Sequence, residues 1–97
     1  MNQHVFCENA NSGTQISGFS LDKESECLFV VKIGNNENGL GSIKLRTPGT
    51  HTEWADVPNS VLNESGAVQL KLQPGLVECV IENCSGVMAK LEISDVL

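Results

Sequence analysis

Apolar and polar residues alternate most cleanly between Gly66 and Ile93, in the stretch GAVQLKLQPGLVECVIENCSGVMAKLEI. Val68, Leu70 and Leu72 alternate with Gln69 and Lys71. Val77, Cys79 and Ile81 alternate with Glu78 and Glu82, and Val87, Ala89, Leu91 and Ile93 with Lys90 and Glu92. A period of two puts the apolar set of each run on one sheet face and the charged set in water, so three strands are predicted. Gln73-Pro74-Gly75 separates the first from the second, because proline fixes φ and lacks a donor while glycine permits positive φ. Asn83-Cys84-Ser85-Gly86 separates the second from the third. A slip of one residue would turn every apolar side chain into solvent, so the register is strongly specified.

The same grammar continues upstream. Gln3 to Cys7 is expected as a short first strand with Val5 and Cys7 on one face. Glu8 to Thr14 is polar and rich in turn formers, and is expected as a loop or a mobile arm. Gln15 to Leu21 alternates weakly through Ile16, Phe19 and Leu21, and Gly18 suggests a bulge or a close approach. Asp22 to Ser25 is a charged turn, and Gly34 to Gly41 a Gly/Asn-rich connection. Ser42 to Arg46 is a strand with Ile43 and Leu45 inward. Thr47-Pro48-Gly49-Thr50 then turns the chain toward the segment carrying Trp54, and Asn63-Glu64-Ser65-Gly66 turns it again. No segment sustains a 3.6-residue apolar period. The pattern predicts an all-β chain of about eight short antiparallel strands, a single-domain β-sandwich of jelly-roll or Ig-like type over residues 1–97.

One run differs in kind. Between Glu26 and Ile33, Cys27, Phe29, Val31 and Ile33 make one apolar face, yet Leu28 and Val30 make the opposite face apolar too. A strand apolar on both faces is ordinarily central and covered twice. The second cover is either the Asn2–Thr14 segment of the same chain or another subunit, so Leu28 and Val30 are the candidate partner-binding residues.

Charge and cysteine usage narrow the function classes. The chain is 97 residues long with a formal net charge of −6 and no basic run. Nucleic acid and anionic membrane surfaces reward clustered Lys and Arg, so neither is expected as a partner. No apolar run is long enough to span a bilayer. Met1-Asn2-Gln3-His4 leads into no apolar segment, so no secretory signal is expected and the four cysteines are expected as free thiols in a reducing cytoplasm. Cys79 and Cys84 would stand roughly 15 Å apart on an extended segment, beyond the ~7 Å a disulfide tolerates. No C-x-x-C occurs among Cys7, Cys27, Cys79 and Cys84, so no zinc site is expected.

Catalytic groups are sparse. His51 and Glu53 could begin a metal or acid–base site, but alternation on an exposed turn explains them as well. His4 has no evident partner. Cys7 or Cys27 could be imagined with His51 as a nucleophile and base, without a third orienting group. Gly39-Leu40-Gly41 lacks the following helix that a phosphate loop needs. Asn63-Glu64-Ser65 and Asn83-Cys84-Ser85 match the glycosylation pattern and read as turns. Trp54 with Glu53 and Asp56 is the candidate sugar-binding set, since an indole face stacks on a sugar; a lone Trp plugging one end of a small β core is the competing explanation. No enzyme and no cofactor is expected.

The block from Ser42 to Ile93 resembles small bacteriophage virion proteins, the head-decoration, cement and fibre-base domains. The resemblance is carried by a strand (SIKLR), a Pro-Gly turn (TPGT), a tryptophan segment (EWADV), a linker (NSVLNESGA) and a strand ending in a second Pro-Gly turn (VQLKLQPG). A last hairpin of the type V-x-C-x-I-x-N-x-x-G-V closes it. The cysteine content is higher than such proteins usually carry. The resemblance implies a non-enzymatic virion structural protein, made in the host cytoplasm, decorating or cementing a capsid. Its partners would be the major capsid protein or another virion protein, and copies of itself, a homo-oligomer with a trimer favoured. A carbohydrate-binding module using Trp54 is the alternative.

Overall fold

The computed structural model describes residues 2–11, 18–36, 39–48 and 54–94. Ten strands are assigned among them: β1 (Asn2–Ala10), β2 (Phe19–Leu21), β3 (Ser25–Lys32), β4 (Asn35–Asn36), β5 (Ser42–Pro48), β6 (Trp54–Asp56), β7 (Gly66–Leu72), β8 (Gly75–Glu82), β9 (Cys84–Ser85) and β10 (Val87–Ser94). Two four-stranded sheets run β1-β10-β3-β7 and β2-β8-β5-β6, and β4 and β9 form a two-stranded ladder. Every pairing is antiparallel.

The expected β-sandwich is present, and its topology is a jelly roll. With the β4-β9 ladder set aside, the eight main strands pair first with last (β1·β10), second with next-to-last (β2·β8), then β3·β7 and β5·β6. Nested pairs of this kind are a long hairpin rolled so that alternate pairs enter alternate sheets, which is the two-Greek-key jelly roll rather than the Ig arrangement.

Between the sheets lies one core, built from the residues that the alternation turns inward. Cys27, Phe29 and Val31 of β3, Leu70 and Leu72 of β7, and Val87, Ala89, Leu91 and Ile93 of β10 face Ile43 and Leu45 of β5 and Val77, Cys79 and Ile81 of β8. All of these are buried.

Three sequence expectations are corrected by the pairing. Val5 and Cys7 do not share a face: Val5 pairs with the outward Lys90 and Cys7 with the inward Ala89, because a bulge intervenes at Phe6. The extra residue on one strand flips the parity of everything beyond it. Second, the polar segment 8–14 does not begin as a loop. Glu8 to Ala10 continue β1 through a second irregularity that sets Ala10 opposite Val87, where it is buried. Residues 12–14 lie outside the described set. Third, the C-terminal runs do not form a closing hairpin. β8 and β10 sit in opposite sheets, and the Asn83–Gly86 connection between them carries β9, which pairs with β4. Asn83 (φ 52°) and Gly86 (φ 62°) supply the two left-handed residues that this crossing requires.

At one edge, β5 pairs with β6 at its end and, through Ile43, with Leu62 by reciprocal 2.8 Å backbone bonds. The chain between loops inward at Val57 and Ser60. Buried Ser60 accepts from the Leu45 N–H at 3.1 Å and donates to the Val57 carbonyl at 2.7 Å. This one hydroxyl replaces the ladder bond that the loop interrupts.

Candidate functional site

β3 is a central strand of its sheet, flanked by β10 and β7. That placement accounts for its apolar inner face but leaves the outer face uncovered by any described part of the chain. Leu28 is 38% exposed and Val30 is half-buried. The Asn2–Thr14 segment does not fold over them in its described part: Asn2 to Ala10 lies beside β10 as an edge strand, in the plane of the sheet.

Pairing registers turn the outer face into rows running across the strands. One row reads Val5, Lys90, Val30, Ala67 from β1 to β7. The next reads Gln3, Glu92, Leu28, Gln69. Beyond them lie Met88 beside Lys32 at one end, and Ser94, Glu26 and Lys71 at the other. Leu28, Val30 and Val5 (39% exposed) therefore form an aliphatic centre crossed by the Lys90–Glu92 pair, whose Nζ and Oε2 stand 3.6 Å apart. Lys71 at the rim is held by Glu24 at 3.1 Å.

The outer face of the other sheet is of a different character. Arg46 binds Glu78 through Nε at 3.0 Å and through its second guanidinium nitrogen, and Lys44 binds Asp56 at 3.1 Å. These cross-strand pairs satisfy one another within the chain, whereas no described element lies over Leu28 and Val30. Leu28 and Val5 are the exposed aliphatics of this face, and Val30 is half-buried between Lys90 and Ala67.

Of the candidate sugar set, Trp54 begins β6 and pairs by its backbone with Pro48. Asp56 has its carboxylate engaged by Lys44. Glu53 lies outside the described residues, as does His51, so the imagined Cys–His pairing is not placed.

Burial shifts three of the cysteines and His4. No disulfide joins Cys7, Cys27, Cys79 and Cys84, and the last three are buried. Burial pushes Cys79 up to about 12, helped by the nearby Cys7 and Glu78. Burial also raises Cys27 and, against a backbone hydrogen bond at Ala89, Cys7. Such thiols are poor nucleophiles, because reactivity needs the thiolate. His4 stacks on Phe19 with ring centroids 4.4 Å apart and meets Phe6 edge-on at 4.9 Å, closing the side of the sandwich where β1 passes β2. Desolvation there lowers its pKa. Among the described residues no three His, Cys, Asp or Glu side chains gather in a metal-binding group. A cleft of about 400 Å3 opens among Gln3, Phe19, Leu21, Asp22, Lys23 and Ile93; the buried Ser25 at its wall donates to the Lys23 carbonyl rather than into it.

The sequence singled out Leu28 and Val30 but not Val5, Lys90, Glu92, Glu26 or Lys32 as members of the same face. Alternation turns each of them outward, yet only the pairing order sets them side by side. The fold is a jelly-roll β-sandwich with exposed aliphatic side chains among the charged residues of one outer sheet face. No protein-family model, curated protein or solved structure matches the chain.

Proposed function

We propose that the protein is a non-enzymatic structural protein of a bacteriophage virion that binds capsid protein and copies of itself, and that this assembly depends on the outer face of the β1-β10-β3-β7 sheet as a docking surface. The observation that carries this reading is the exposure of Leu28 next to half-buried Val30 on the outer face of the central strand β3, with exposed Val5 across Lys90 on the edge strand. Burying an aliphatic side chain contributes about 1.5–3 kcal/mol, so a face of this kind gains from being covered. Repetition over a shell multiplies a modest contact, because each added attachment is effectively intramolecular. Three further features agree: the resemblance of Ser42–Ile93 to virion proteins, the net charge of −6, and thiols held protonated by burial. Jelly rolls serve in viral capsids and in lectins alike, so the fold alone does not choose between them. The lectin reading has less behind it, since the Asp56 carboxylate is already occupied by Lys44.

The test is a Leu28→Lys/Val30→Lys variant assayed for incorporation into purified particles. A folded, soluble variant missing from particles that contain the wild-type chain is the expected result. Wild-type incorporation by the variant overturns the face assignment. A reading frame set among metabolic enzymes, with no capsid or tail gene nearby, overturns the virion role.

A further inference from the structure

The outer face of the β1-β10-β3-β7 sheet is complementary to itself. Along β3 its outward residues run Glu26, Leu28, Val30, Lys32; along the antiparallel β10 they run Ser94, Glu92, Lys90, Met88 in matching rows. Phe29 and Leu91, paired across the ladder and both buried, mark the midpoint of the two series. On each side of that midpoint every charge has its opposite at the same distance.

We infer that this face binds a second copy of the same chain, face to face, about a two-fold axis lying in the interface along the Phe29–Leu91 line. The inference rests on the reading of this face as a docking surface and names its occupant. Such an axis lays each strand antiparallel on its own counterpart. Glu26 then stands over Lys32 of the second copy, Leu28 over Val30, and Glu92 over Lys90. Symmetry repeats each contact, so four acid–base pairs surround a centre of four aliphatic side chains. Gln3 falls over Val5 and Ala67 over Gln69, and these rows bring no like charges together. An isologous contact of this kind needs one self-complementary patch. Aligned packing of two sheets through their faces is a standard geometry.

The competing orientation is an axis running along the strands. It would exchange β10 with β3 while keeping the rows, setting Lys90 over Val30 and Glu92 over Leu28. Charges would then be pressed onto aliphatic side chains with no acid–base pair formed between the copies, which is costly. The aliphatic centre drives association and the charges choose the orientation. A two-fold makes closed pairs rather than the trimer that the resemblance implies. It leaves the ion-paired face of the other sheet and the open edge of β7 for contact with a particle.

Sedimentation equilibrium of the full chain and of Lys90→Glu and Glu92→Lys variants tests the inference. The wild-type chain is expected to dimerise. K90E carries two acids at these positions and E92K two bases, so each repels its own copy and is expected to weaken dimerisation at least about ten-fold, a difference of about 1.4 kcal/mol. An equimolar mixture of the two, and the double swap K90E/E92K on one chain, are expected to restore it. Carbodiimide cross-linking of the wild-type protein is a second measurement that needs no variant. Glu26 and Lys32 are roughly 20 Å apart along one strand, so a Glu26–Lys32 cross-link forms only between copies and is expected. A wild-type chain that stays monomeric to about 1 mM overturns the inference, as do single variants that dimerise like wild type, or a mixture and swap that stay apart. Monomeric wild type with L28K/V30K-dependent particle binding would remove self-pairing and leave the docking reading standing. Dimers that cross-link as expected but are absent from particles would remove the virion role and leave the pairing.

Discussion

The side-chain amide of Asn36 and the peptide of Gly41 bind each other reciprocally. The Gly41 N–H donates to Oδ1 at 2.7 Å, and Nδ2 donates back to the Gly41 carbonyl at 3.3 Å while also reaching the Asn63 carbonyl at 2.7 Å. One side chain thus ties the β4–β5 connection to the turn that precedes β7. Gly41 is required for a separate reason: a Cβ there would overlap Cys84 Sγ, the Asn83 carbonyl and Asn36 Oδ1. Asn36→Asp keeps the acceptor but loses both donated bonds, and is expected to lower unfolding free energy by about 1–3 kcal/mol. Gly41→Ala is expected to cost at least as much, since all three atoms in its way belong to neighbouring residues of a packed corner. Urea denaturation of both variants measures this; wild-type midpoints would contradict it.

Ser60→Ala should be costly for so small a change. The hydroxyl is fully buried and serves the Leu45 N–H and the Val57 carbonyl together. Removing it strands a buried backbone donor, at about 1–3 kcal/mol. Deuterium exchange at the Leu45 amide should rise in the variant. Unchanged protection there would show that the bond matters little.

The thiols predict an alkaline limit to stability. Cys79 ionises near 9 when free and is pushed up to about 12 in the fold, chiefly by burial. A folded pKa above the unfolded one means stability is fully present below about pH 9 and is lost as pH rises from there through 12. Each pH unit in that window removes about 1.4 kcal/mol for a group of this kind. Cys79→Val should flatten the alkaline limb of a stability–pH curve. An equal slope in wild type and variant would refute the assignment. Four reactive thiols in denaturant without reductant, with slow labelling of the native protein at neutral pH, are the companion result.

His4 predicts an effect of opposite sign. Its pKa is lowered by desolvation between Phe6 and Phe19. A lowered histidine is neutral in the fold while the unfolded chain takes up a proton, so stability is present above about pH 6.5 and declines as pH falls below it. His4→Phe should remove that part of the acid sensitivity. NMR titration of the His4 ring reads the same quantity directly, and a midpoint above 6.5 would rule it out.

Much of the fold was legible in the sequence, because strand alternation is a local property with a period of two. It predicted the inward sets of β3, β5, β8 and β10 and the strand breaks at Gln73–Gly75 and Asn83–Gly86, and it flagged Leu28 and Val30 as apolar on the wrong side for a chain with one core. What alternation does not carry is which strand lies beside which. β1 pairs with β10 across nearly the whole chain, and consecutive β7, β8 and β10 enter alternate sheets. Such choices come from burying both inner faces at once, a condition on all the strands together rather than on any window of residues. The bulge at Phe6 belongs to the same class, since it answers the need of Cys7 and Ala10 to reach the core opposite Ala89 and Val87. So does the outer face. Glu26, Leu28, Val30 and Lys32 form a series in the sequence, but only the ladder that sets Phe29 opposite Leu91 lays Glu92 and Lys90 beside it. The chain chose the side chains, and long-range pairing chose their neighbours.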